Sequence, residues 1–120
     1  MESILNSIKK MLGIDKNYNH FDSDIIIHIN SVFANLYQMG VVADSNKPFK
    51  IINEKETWSD FSIRADTDIS EIKTYMYLKV RTLFDPPTNS TLLSAMNEQI
   101  NEFEWRLYLE MDTYSSPPYV

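Results

Sequence analysis

Two adjacent prolines limit what this chain can fold into more than any other feature. Within Tyr75–Arg106, YMYLKVRTLFDPPTNSTLLSAMNEQINEFEWR, an apolar helical pattern meets Asp85-Pro86-Pro87 and a second amphipathic pattern follows at once. Proline has no backbone donor, and each one pushes the residue before it out of the α region, so Asp85 and Pro86 must leave the helix. The segment therefore predicts two antiparallel helices joined by a short, stiff turn, and that pair forms the centre of the fold.

The rest of the chain agrees with a helical protein. Gly13 and Gly40 are its only glycines, and no proline falls between Phe49 and Asp85, which disfavours a turn-rich β architecture. Residues 2–12 place Ile4, Leu5, Ile8, Met11 and Leu12 at helical spacing, with Gly13 as the stop. Asp22, Ser23 and Asp24 offer N-cap oxygens to a second helix that buries Ile25, Ile29, Val32, Phe33 and Leu36 and ends at Gly40. A third helix starts at Thr67 or Asp68 and runs to Phe84, with Ile69, Ile72, Met76, Val80 and Leu83 as its stripe. A fourth begins near Ser90, and Leu93, Met96, Ile100, Phe103 and Leu107 form its packing seam.

Residues 41–67 break this pattern. Phe49–Ile52 is expected as a short strand, and Trp58 and Phe61 as a lid folded back onto the helices. The expected fold is mainly α: a compact bundle of about four helices with a short β or irregular insertion between the second and third long segments. Residues 1–112 make one domain, which 120 residues suit. Residues 113–120, TYSSPPYV, form an extended proline-rich tail.

Composition removes several function classes. Cysteine is absent, so disulfides, thiolate catalysis and Cys-based zinc sites are excluded together. No apolar run approaches the roughly 20 residues a bilayer span needs. Glu2 near the front and Lys9 and Lys10 within the apolar face argue against a secretory signal. Net charge is −6. Glu98, Glu102, Glu104, Glu110 and Asp112 outnumber Arg106, so groove binding to nucleic acid is disfavoured. The same repulsion suits a channel through which DNA slides without sticking.

Chemistry-bearing clusters are few. His20, Asp22, Asp24 and His28 resemble a metal-ligand set, with Asp24 and His28 four residues apart on one helix face. A helix cap already accounts for Asp22–Asp24, so no metal and no cofactor is expected. Glu98, Glu102 and His28 are the candidates for acid–base work, but helix-surface carboxylates are normally solvated. Ser90 and Ser94 have no histidine close in sequence, and no phosphate loop or nucleophile elbow occurs. At about 100° per residue, Trp105 and Tyr108 fall off the Phe103/Leu107 seam. Either Trp105 packs on a second neighbour in its own chain, or it contacts another subunit. Tyr114, Pro117, Pro118 and Tyr119 suit an extended peptide docking into a partner's groove, against the alternative of a free terminus.

Four segments together resemble a known family: HFDSDIIIHINSVFANLYQMG (His20–Gly40), ETWSDF (Glu56–Phe61), YMYLKVRTLFDPPTNS (Tyr75–Ser90) and NEFEWRL (Asn101–Leu107). They are similar to the small head–tail connector, adaptor or head-completion proteins of tailed phages and prophages. The similarity covers roughly residues 2–110 in unchanged order, and the Leu-Lys-Val-Arg…Phe-Asp-Pro-Pro piece is its most specific part. The resemblance implies a non-enzymatic virion protein, made in the host cytoplasm and placed at the capsid vertex. Its subunits would form a ring, usually dodecameric, under the portal protein. That ring would extend the DNA channel, pass DNA without specific binding, and carry the next connector, stopper or tail protein; no membrane is involved.

A ring needs two different complementary faces on each subunit. Trp105, Arg106 and Tyr108 are assigned to one face, Ile4, Ile8 and Leu12 to the other, and Tyr114, Pro117, Pro118 and Tyr119 to portal docking. Two other classes stay open. One is a small phage-encoded regulatory or inhibitor protein that binds a host protein; the other, minor, is a metal-dependent enzyme at the His20–His28 cluster.

Overall fold

The computed structural model describes residues 2–41, 47–61 and 69–115, and side chains as far as residue 109. Four helices follow in order: α1 Ile4–Met11, α2 Asp22–Gln38, α3 Ile69–Phe84 and α4 Ser90–Ser115. The fold is the expected mainly α bundle.

Helix ends follow local chemistry. Ser3 Oγ accepts the Asn6 N–H and caps α1. Gly13 and Gly40 both take positive φ, 81° and 95°. Each lets two backbone N–H groups turn back onto the last helical turn. Gly13 and Ile14 donate to the carbonyls of Lys10 and Lys9, and Gly40 and Val41 to those of Tyr37 and Leu36. α3 stops at Phe84, one residue before Asp85-Pro86-Pro87, and Asn89 Oδ1 caps α4 by accepting the Leu92 N–H at 3.0 Å.

α2 begins differently from the expectation. Phe21 occupies its N-cap without a side-chain hydrogen bond, and Asp22 is already helical. Asp22 and Asp24 still lie in the first turn, where negative charge favours the helix dipole. The Asp22 carboxylate is turned toward Lys9 instead of capping its own helix.

α3 is the centre of the bundle and packs on all three other helices, whereas among the described residues it is the only helix α4 touches. α3 and α4 run antiparallel: Tyr75 Oη donates to Glu104 at 2.8 Å, Lys79 Nζ lies 3.5 Å from the same carboxylate, and Arg106 pairs with Glu71 at 3.0 Å. Ile72, Tyr75, Met76, Leu78 and Val80 of α3 are buried, as are Met96, Ile100 and Leu107 of the predicted α4 seam. Leu83, expected within the α3 stripe, is exposed, and Phe84 of the same turn packs inward against Phe21 and His28 in its place.

The described part of the insertion between α2 and α3, residues 47–61, is irregular, and Phe49–Ile52 is not a strand. Asn30 on α2 uses its amide as a strand partner would: Nδ2 donates to the Ile51 carbonyl at 3.0 Å and Oδ1 accepts the Ile51 N–H at 2.8 Å. Glu56 accepts the N–H groups of Ile52 and Asn53. With the Ile51 N–H and carbonyl and the Ile52 N–H served by two side chains, these groups have no need of a ladder. The one β-bridge among the described residues joins Ser3 to Thr57. Trp58 and Phe61 close over the helices as expected: Phe33, Phe49 and Phe61 cluster in edge-to-face and tilted contacts with centroids about 5 Å apart, and Trp58 Nε1 donates to Ser7 Oγ at 2.9 Å. Outside the bundle core, α4 continues to Ser115, three residues into the expected tail; residues 116–120 lie outside the described part.

Candidate interaction surfaces

A 26-residue helix docked on one neighbour leaves most of its circumference to solvent. Inward, α4 buries Met96, Ile100 and Leu107 and fixes its register through Glu104 and Arg106. Outward, it presents Trp105 at 62% exposure, Tyr108 at 57%, and the exposed Leu109. These stand at i, i+3 and i+4, so they form one continuous apolar ridge. The reading in which Trp105 packs inside its own chain is thereby corrected. Arg106 sits beside the ridge, its guanidinium 4.7 Å from the Phe103 ring and paired with Glu71. A cleft lined by Asn35, Gln38, Met39, Lys79, Glu104 and Tyr108 runs along the ridge toward the end of α2.

A second apolar surface lies near the other end of α3. Leu12, Ile14, Phe21, Phe84 and Asp85 line a groove of about 410 Å³. Phe21 meets Phe84 edge to face at 5.3 Å, and Tyr18 and His20 pack against Phe21. Exposed Met11 and Leu83 belong to the helix ends that supply Leu12 and Phe84.

The groove is held in shape by a buried cation. Lys9 is fully buried; its ammonium donates to the carbonyls of Tyr18 at 2.7 Å and Lys16 at 3.1 Å and lies 2.7 Å from Asp22 Oδ1. A lysine loses its hydration on burial and needs such partners. These three ties fasten the loop between α1 and α2, and with it Ile14 and Phe21. Lys9 was legible in the sequence only as a charge on an apolar face; a lone lysine at a core position, with an acid at the next helix start, was the available signal.

The expected site residues separate accordingly. Trp105, Arg106 and Tyr108 come together on α4. Leu12 is half-buried at the groove. Ile4 and Ile8 are 0% exposed inside the chain's own core, so this fold does not present them on a surface, and the face assigned to α1 narrows to Leu12. The backbone of Tyr114 closes α4; its side chain, and Pro117, Pro118 and Tyr119, lie outside the described residues. The His20–His28 cluster is dispersed: Asp22 serves Lys9, His20 packs on Phe21 and His28 faces Phe84. Among the described residues no three His, Asp or Glu side chains gather as ligands would. Glu98 and Glu102 are solvent-exposed, as are Ser90 and Ser94. Among the described residues no helix is long and apolar enough to cross a membrane.

A protein-family model described as a phage connector protein matches residues 4–114. The comparison with curated proteins gave no match, and neither did the comparison with solved structures.

Proposed function

The chain belongs to the phage connector protein family, and from that premise we propose that it is a head–tail connector subunit that assembles as a ring of twelve beneath the portal. In that position it extends the DNA channel and joins the capsid vertex to the next connector or tail component. The observation that carries the proposal is the pair of unlike apolar surfaces, the α4 ridge and the Phe21/Phe84 groove, on a small chain whose core is already complete without them. Exposed apolar surfaces of this kind mark protein contacts. Contacts between unlike surfaces propagate head to tail and close into rings when the rotation permits. A net charge of −6 supports passage of DNA without capture. The proline-rich segment after α4 is assigned to the portal, as an extended peptide seated in a groove of that protein.

Mass photometry of the purified protein, alone and mixed with the cognate portal ring, tests the proposal. Portal particles are expected to gain one discrete mass increment equal to a whole ring of subunits, which also gives the stoichiometry. A stable monomer or dimer with no gain on the portal would overturn it and favour the host-protein inhibitor class.

A further inference from the structure

The ridge and the groove match each other in shape class and in charge. Trp105, Tyr108 and Leu109 have the i, i+3, i+4 spacing with which an amphipathic helix enters an apolar groove. The stripe continues toward the N-terminus of α4 with Glu102 and Glu98, both exposed. On the other surface, Ile14 is shared between the Phe21/Phe84 groove and an adjoining cleft of about 290 Å³ that carries Lys10 and Lys16. Both lysines are exposed and neither makes an ion pair among the described residues. The acids of that cleft are engaged: Glu2 pairs with Lys73, and Asp15 accepts the Asn17 N–H. One surface thus carries Glu98 and Glu102 before its apolar ridge, Glu102 lying 4.0 Å from Arg106 of the same helix; the other carries those two lysines beside its apolar groove, with Asp15 and Asp85 at its edges.

These surfaces do not meet within one chain. The antiparallel register at Tyr75–Glu104 sets Trp105 roughly 15 Å, and Leu109 roughly 20 Å, from Phe84 along the helix axis at 1.5 Å per residue. We propose that the α4 ridge of one copy seats in the Phe21/Phe84 groove of a second copy, with Glu98 and Glu102 of the first against Lys10 and Lys16 of the second. The inference rests on the ring reading and names the contact that closes the ring. The Lys9 clamp matters here because a groove fixed before binding loses less freedom when it is filled.

The natural absence of cysteine makes the contact testable by cross-linking. A chain carrying Lys10→Cys and Glu102→Cys, assembled on the cognate portal and treated with a short bismaleimide, is expected to give a ladder of covalent multimers. Neither single-cysteine chain should give it. Portal particles that gain full ring mass but yield no ladder would overturn the ridge–groove contact while leaving the ring intact. Single variants that cross-link to themselves would also overturn it, since like would then be meeting like. No mass gain by the wild-type protein would overturn both readings.

Charge reversal supplies an independent arm that leaves the apolar surfaces unchanged. Lys10→Glu with Lys16→Glu is expected to weaken assembly about tenfold or more, and adding Glu98→Lys and Glu102→Lys to the same chain is expected to restore it. Failure of the fourfold variant to recover would overturn the pairing.

Discussion

Tyr75 shows how one buried side chain couples packing to pH. It is fully buried on α3, and its hydroxyl donates to Glu104. Burial, and then the hydrogen bond and negative charge of Glu104, push its ionisation well above the usual phenol range. The unfolded chain releases that proton near the ordinary value of about 10, while the native protein still holds it. The stabilisation is therefore complete below about pH 10 and declines as pH rises beyond it. Tyr75→Phe should cost about 1–2 kcal/mol at neutral pH through the lost hydrogen bond. The wild-type advantage in urea midpoint should then shrink between pH 9 and 11, roughly the span around the free phenol value; an advantage that stays constant would refute this account. Lys9 and Asp22 make a second, asymmetric case. Asp22→Asn leaves a fully buried ammonium with two carbonyls and no countercharge, whereas Lys9→Met leaves a carboxylate whose Oδ1 is buried but whose side chain as a whole is 27% exposed. Breaking a buried pair costs about 3–5 kcal/mol, and Asp22→Asn is expected at the upper end, above Lys9→Met. Equal losses in denaturant unfolding would show that the orphaned ammonium is not the dominant cost.

The four helices were legible because their signals are local. Gly13, Gly40 and Pro86-Pro87 stop them by backbone geometry alone, and the apolar spacing of Ile25–Leu36 and Met96–Leu107 already gives the buried faces. The insertion was not legible in the same way, because two of the bonds that hold it come from far along the chain. Asn30 reaches Ile51 across 21 residues, and Trp58 reaches Ser7 across 51. A β-patterned tetrapeptide such as Phe49–Ile52 therefore reads as a strand although a side chain from α2 has taken the place of a second strand. The same limit applies to α1: helical spacing marks Ile4 and Ile8 as apolar-face residues but cannot say whether that face meets its own core or another subunit. Asn30→Ala removes both bonds to Ile51 and is expected to destabilise the fold by about 1–3 kcal/mol, the cost of leaving backbone groups unsatisfied. Hydrogen exchange at Ile51 should rise first, before exchange in α3; protection at Ile51 equal to wild type would mean that the insertion is held by its aromatic residues alone.

At the scale of the molecule, the candidate site is a relation between two ends, and only half of it was visible in the residues. Trp105 and Tyr108 stand out as aromatics off a helical seam, but the groove draws Leu12, Ile14, Phe21 and Phe84 from three separate segments that only the fold brings together. A substitution on the ridge should therefore separate folding from assembly. Trp105 is 62% exposed, so Trp105→Ala should leave the unfolding midpoint within about 0.5 kcal/mol of wild type. An aromatic anchor at an interface centre is worth about 2 kcal/mol or more. In a head-to-tail ring each subunit both gives and receives that anchor, so one substitution weakens every contact around the circle. The variant should fold normally, fail to add a ring to portal particles at concentrations that saturate with wild type, and yield capsids that lose packaged DNA and do not join tails. Trp105→Ala particles that retain DNA and attach tails normally would remove Trp105 from the interface, and a variant that unfolds at lower denaturant would place the residue back among those that hold the monomer together.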